Sequence, residues 1–315
     1  MTALKKAPGG LIRVAPVVYL LLLGSALFTF TAGNFLTVGN AFNIMRQASP
    51  LLILAIGETL TILIGEIDLS VGYVMSFTGL AAAYMLEAGV PLVAVAVACL
   101  AIAGALGLGN GVLVAKLGVP SFIATFGWGN VVFGLGLIVS KGLSVPALDE
   151  SFRFLADGSV LGFPVIILIT LAIFLLVQYA MKRTAFGRNV YGLGGNREAL
   201  FLAGINVDRA QVWVFGASGL LSGCAGLLFA ARAASGHAGS GVGWEFDAIA
   251  ATIIGGNSFT EGRGNILKTV LGVVFISLLR NGLNMSGVAP QVQSFLVGVI
   301  VVIAISIDVL SRRAR

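Results

Sequence analysis

Long apolar runs follow one another along this chain, separated by short charged, polar and glycine-rich stretches. A hydrocarbon layer of about 30 Å is crossed by about 20 apolar helical residues. The runs therefore predict spans at 14–32, 49–65, 73–86, 92–115, 121–140, 163–181, 210–231, 247–256, 266–285 and 292–307, ten in all. Those at 73–86 and 247–256 are short. If both re-enter rather than cross, eight crossings remain and the termini still share a side. The first run is long and no clear small-residue cleavage site follows it, which predicts an uncleaved span rather than a secretory signal.

Composition agrees with this pattern. Of 315 residues, 58% are hydrophobic and 10% charged, with mean hydropathy +1.02, far from the roughly 25% charged residues of soluble domains. The expected fold is an all-α integral membrane protein forming one domain over 1–315. A formal charge of +6 would suit nucleic acid, but the basic residues sit at the ends of apolar runs, where they set topology, so no nucleic-acid partner is expected. Ten crossings put 14 of the 19 lysines and arginines on the side of the termini, Lys5, Lys6, Arg263 and Arg315 among them, and 5 on the other. Both termini are thus expected in the cytoplasm. Cys99 and Cys224 lie far apart within apolar runs and read as packing residues.

Two stretches overlay. Val71-Gly72-Tyr73 precedes Asn110-Gly111, Val242-Gly243-Trp244 precedes Asn281-Gly282, and both members of each pair are 171 residues apart. Five crossings separate Gly72 from Gly243, so the copies face opposite sides and predict an inverted repeat, an arrangement that many transporters use around a central solute site. Between the second and third runs stand Glu66 and Asp68, flanked by Gly65, Ser70 and Gly72. They mark either a broken, non-helical connection at depth or a plain cytoplasmic turn with solvated acids. Glu58, inside the second run, is expected to accept a hydrogen bond across helices.

Taken together, Ile67-Asp68-Leu69-Ser70-Val71-Gly72, the loop Gly187 to Asn196 with Ala203-Gly204-Ile205-Asn206-Val207 after it, and Asp247-Ala248-Ile249-Ala250-Ala251 resemble the membrane permease of bacterial ribose- and xylose-type ABC sugar importers. The likeness runs over about 40–308. The family usually has glycine where this chain has Glu66 and Glu261. The resemblance implies a permease of the bacterial inner membrane that performs no chemistry and needs no cofactor. It further implies an ABC ATPase partner, a periplasmic substrate-binding protein, a second permease subunit (the same chain or a homologue), surrounding membrane lipid and a small sugar as cargo. Consistent with that, the sequence has no G-x-x-x-x-G-K-[ST] phosphate loop.

The one long cytoplasmic segment with both charge and apolar character is 182–209, which makes it the expected ATPase contact. Its coupling residues fall at Gly187, Arg188, Gly194, Gly195, Asn196, Glu198, Ala199 and Gly204. Asn196 suits an N-cap, Glu198 the positive end of a helix and Gly204 its stop, predicting a short helix over 197–203 with Leu200, Phe201 and Ala203 on an apolar face. That face docks on a partner or packs on the bundle. Candidates for the solute path are Gln47, Asp68, Ser70, Trp128, Asn130, Asn281 and Asn284, because amides, hydroxyls and aromatic faces match sugar OH and CH surfaces. Interface anchoring by Trp128 and helix linking by the asparagines are the alternative roles. His237 has no second ligand nearby, so no metal is expected. An ion-coupled secondary transporter is the rival reading, and its mark would be a deeply buried acid.

Overall fold

The computed structural model describes residues 11–258, 262 and 264–313; Lys5, Lys6, Glu261, Arg263 and Arg315 lie outside the described residues. Thirteen helices occur among the described residues: α1 (Leu11–Thr31), α2 (Val38–Leu63), α3 (Val71–Glu87), α4 (Leu92–Ala115), α5 (Ser121–Ser140), α6 (Glu150–Asp157), α7 (Val165–Arg183), α8 (Ala185–Gly195), α9 (Arg197–Leu202), α10 (Val207–Ala233), α11 (Trp244–Ile254), α12 (Ile266–Met285) and α13 (Pro290–Arg313). The only strands there are two-residue pieces: Val145–Pro146 pairs antiparallel with Ser235–Gly236, and Ser159–Val160 with Phe163–Pro164.

Each of the ten apolar runs is a helix. Five of them, α4, α5, α7, α10 and α12, are long and apolar enough by themselves to cross a bilayer. Many of the starts are set by local capping. Thr37, Asp149, Asn196, Asn206 and Asn265 each accept a hydrogen bond from the amide three residues on, satisfying a donor that the helix leaves open. The stretch 187–196, read from sequence as a loop, is instead mostly helical, forming the body of α8 up to the cap at Asn196. Its glycines let it pack tightly against the end of α2, where Gly194 lies on the Leu63 carbonyl.

The core centres on α10, which packs on α2, α3 and α4, while α2 packs in turn on α11 and α12. In lipid, helices gain little from apolar burial alone, so close backbone approach between small residues carries association. Gly107 meets Gly219 and Gly111 meets Val212 along the α4–α10 contact, in keeping with this rule. Gly72 illustrates the requirement best. A Cβ there would collide with the Gly241 carbonyl and the Glu245 carboxylate, so only glycine lets α3 begin against the 237–243 loop. The two glycine motifs that overlay in sequence thus stand side by side in space.

Candidate solute pathway and polar break

The chain leaves α2 through a compact turn in which Gly65 takes φ +79° and the Glu66 amide reaches back to the Thr61 carbonyl. Asp68 follows, 1% exposed. Its Oδ1 accepts from the Ser70 amide (3.0 Å) and hydroxyl (2.6 Å) and from Asn110 Nδ2 (3.4 Å), while its Oδ2 accepts from Ser218 (3.0 Å). Asn110 also donates to the Ser70 hydroxyl at 2.7 Å. The carboxylate therefore ties the break to α4 and α10, as a buried acid must be tied if its removal from water is to be offset. Glu58, fully buried in α2, accepts from the Asp68 amide at 3.3 Å, so its bond goes to the backbone of the break that follows its own helix rather than across to another helix as expected. Glu66 is only partly covered: it accepts from Gln211 (2.9 Å) and faces Arg197 at 3.7 Å, and Arg197 itself donates to Gln211. The two acids of the break thus have different settings, one locked in the core and one joined to the start of α9.

A second polar centre lies beyond α3. Asp247 in α11 and Arg280 in α12 form an ion pair at 2.6 Å. Two adjoining cavities, of about 440 and 150 Å³, share Trp244, Asp247 and Arg280 as walls. The larger is also lined by Ser294 and the smaller by Gln47, Arg232 and Ser277. Trp244 is held by an edge contact with Phe229 at 5.1 Å. Arg46 stands close enough to Arg232 for their charges to repel, and the Nε atoms of Arg46 and Arg280 have no partner among the described residues. Charged groups among apolar helices normally face a partner or a cavity, and this pair does both. The walls offer donors, an acceptor and an aromatic face at once, a set suited to a small polyhydroxylated solute.

Of the path candidates drawn from sequence, only Gln47 lines these cavities. Asp68 and Ser70 belong to the buried network. Asn281 is buried and accepts from Asn40 at 3.0 Å, joining α12 to α2. Trp128 donates to the Leu106 carbonyl, Asn130 turns back on its own helix at Phe126, and Asn284 is exposed at the end of α12. Asp247, Arg280 and Trp244 were not on that list. The signal that singled out Asp68, an ionisable residue in an otherwise apolar stretch, applies equally to Asp247 and Arg280, and only their contact distinguishes them from isolated charges.

The segment expected from sequence to contact an ATPase forms as a helix pair. Asn196 caps α9 through the Ala199 amide, Glu198 lies in its first turn, and Gly204 (φ +80°) ends it with its amide on the Phe201 carbonyl. Gly187 is buried against Met181, Arg188 and Gly195 are exposed, and Phe201 and Leu202 protrude at 68% and 79% exposure. Leu200 turns inward onto Gly192.

Residues 40–305 match the family described as "Branched-chain amino acid transport system / permease component". The chain is 38% identical over 304 residues to the probable ABC transporter permease protein YphD of Escherichia coli K12, covering 96% of this chain and 89% of the relative. It is 37% identical to the ribose import permease protein RbsC of the same organism, over 91% of each chain. It is 32% identical to the L-arabinose ABC transporter permease protein AraH of Azospirillum brasilense, over 98% of this chain and 92% of the relative. No solved structure matches. An apolar helical bundle, a polar break fixed by a buried carboxylate and a similarity that spans nearly the whole length of ABC permeases together place this chain in the branched-chain amino acid transport system / permease component family.

Proposed function

We propose that the protein is the transmembrane subunit of an ATP-driven importer for a monosaccharide or similar small polar solute. The observation that carries this reading is the Asp247–Arg280 pair, set with Trp244 and Gln47 around connected cavities. The larger cavity falls within the roughly 300–1,000 Å³ of small-ligand sites. Ribose and arabinose in the names of two relatives support a sugar as cargo. A separate ATPase binds the exposed α8–α9 surface, a periplasmic binding protein delivers solute, and a second permease subunit completes the path in the inner membrane.

The bundle spans ten times with both termini in the cytoplasm and is built as an inverted repeat. Moving α2, α3, α4 and α5 forward by 171 residues lays them on 209–234, 242–258, 263–286 and 292–311, within four residues of the bounds of α10, α11, α12 and α13. The exchanged packing supports the same symmetry, since α2 lies on α11 and α12 while α10 lies on α3 and α4. The two short helices α3 and α11 then face each other at the centre, where such transporters place their solute site.

The test is reconstitution with partner ATPase and binding protein, followed by a screen of sugars for stimulated ATP hydrolysis. Asp247→Asn and Arg280→Gln each remove a charge-assisted hydrogen bond, of roughly 1.5–3 kcal/mol, and are expected to lower uptake by about tenfold or more. Uptake that needs no ATPase would overturn the reading. The fully buried Glu58 beside Asp68 supports ion-coupled transport as the second reading. In that case uptake follows an ion gradient and is lost in Asp68→Asn with ATP irrelevant.

A further inference from the structure

On the far side of α10 from the Asp68 network, α4, α7 and α10 enclose a groove of about 510 Å³ with almost wholly apolar walls. Along α10 its lining is Trp213, Gly216, Ala217, Leu220, Leu221 and Cys224, a single continuous helix face. From Trp213 to Cys224 that face rises about 16 Å, roughly half the thickness of a hydrocarbon core of about 30 Å. The groove is therefore one leaflet long.

Its two ends differ. Arg183 lies one turn beyond Ala180 on the groove face of α7, and Arg209 lies one turn before Trp213 on the groove face of α10. Both arginines are exposed, and neither has an ion-pair partner among the described residues. The opposite end, at Leu100, Ile173 and Cys224, has no charged residue within a helical turn. Trp213, 57% exposed, sits at the charged end, where an amphipathic ring suits the boundary between chains and headgroups.

We propose that this groove holds an acyl chain of an anionic phospholipid, whose phosphodiester is bound by Arg183 and Arg209. A phosphate matches the guanidinium fork, and basic sites between membrane helices recruit acidic headgroups. A zwitterionic lipid presents the same phosphate but adds an ammonium that both arginines repel. The site therefore discriminates by headgroup while the groove accepts any chain of suitable length.

The test uses the full chain in detergent with Trp128→Phe and Trp244→Phe, so that Trp213 is the sole tryptophan. It is titrated with chain-brominated phosphatidylglycerol or phosphatidylcholine, whose bromines quench a contacting indole. Phosphatidylglycerol is expected to quench at a concentration on the order of tenfold lower, and Arg183→Gln with Arg209→Gln is expected to abolish that preference while quenching persists. Both arginines are exposed, so the double substitution leaves the packing intact. Native mass spectrometry of the unsubstituted protein gives an independent measurement, with retained phosphatidylglycerol expected in preference to phosphatidylcholine. Equal quenching by the two lipids, or a preference that survives the double substitution, would overturn the proposal. So would no quenching by either lipid, the result expected if a second protein chain covers the groove.

Discussion

Asp68 is the residue on which the most local geometry depends. Four donors converge on its two oxygens from the break, α4 and α10. Asp68→Ala strands several of them at once, and each buried donor left unpaired costs roughly 1–3 kcal/mol. Asp68→Asn keeps the shape and one acceptor. Thermal unfolding in detergent should therefore show a clear loss for Asp68→Ala and a smaller one for Asp68→Asn; an unchanged midpoint for the alanine variant would remove the network as a source of stability. At Gly72 the constraint is space, since any Cβ meets backbone and a carboxylate that have little room to retreat. Gly72→Val is expected to cost at least about 1–3 kcal/mol by overpacking, measured in the same unfolding assay, whereas the same change at the uncrowded Gly127 should be mild in comparison.

At the scale of elements, α9 is a six-residue helix that depends on its ends. Glu198→Lys reverses a favourable charge at the positive end of the helix, an effect of roughly 0.3–1 kcal/mol, too small to unfold a bundle. Gly204→Val is more severe because the left-handed backbone at φ +80° strains any β-branched residue. Both variants should insert normally yet transport poorly, Gly204→Val the worse, with basal ATPase activity no longer responding to solute; wild-type uptake at matched expression would remove α9 from coupling. The link from α9 into the membrane domain runs through Arg197, Glu66 and Gln211. Glu66 stands two residues before Asp68, which puts the α9 contact next to the polar break. Reversing Glu66 to Arg is expected to uncouple hydrolysis from uptake, and the added Arg197→Glu to restore it in part. Failure of the pair to recover any coupling would show that the contact is incidental.

For the whole molecule, the distribution of basic residues leads to a topology that labelling can check. Asp149 caps α6 on the side opposite the α8–α9 surface in the ten-span arrangement. Asp149→Cys should react with an impermeant thiol reagent added from outside to intact cells, while a reporter placed within 188–206 should read as cytoplasmic. Labelling of Asp149→Cys only from the inside would sink the arrangement. The interlocked packing of α2 with α11 and α12, and of α10 with α3 and α4, makes the two halves one unit, so neither is expected to fold alone.

Hydrophobic run length was enough to locate the helices at all ten runs, because in a bilayer each backbone group is satisfied within its own helix and the limits are set where apolar sequence ends. The cap at Asn196 and the stop at Gly204 were equally local and equally legible. The stretches around Asp68, from Gly187 to Val207 and at Asp247 together carried the family resemblance without any fold. Contact between distant residues was another matter. Sequence gave no means of telling Asp247, which meets Arg280 from 33 residues away beside a cavity, from Asp68, which is enclosed by hydroxyls and an amide. Nor did it show that Asn281 would pair with Asn40 while Gln47 faced open space. Similar side chains enter each helix with the same local signal, and only the packing of helices against one another decides which of them becomes part of a core, a link or a cavity wall.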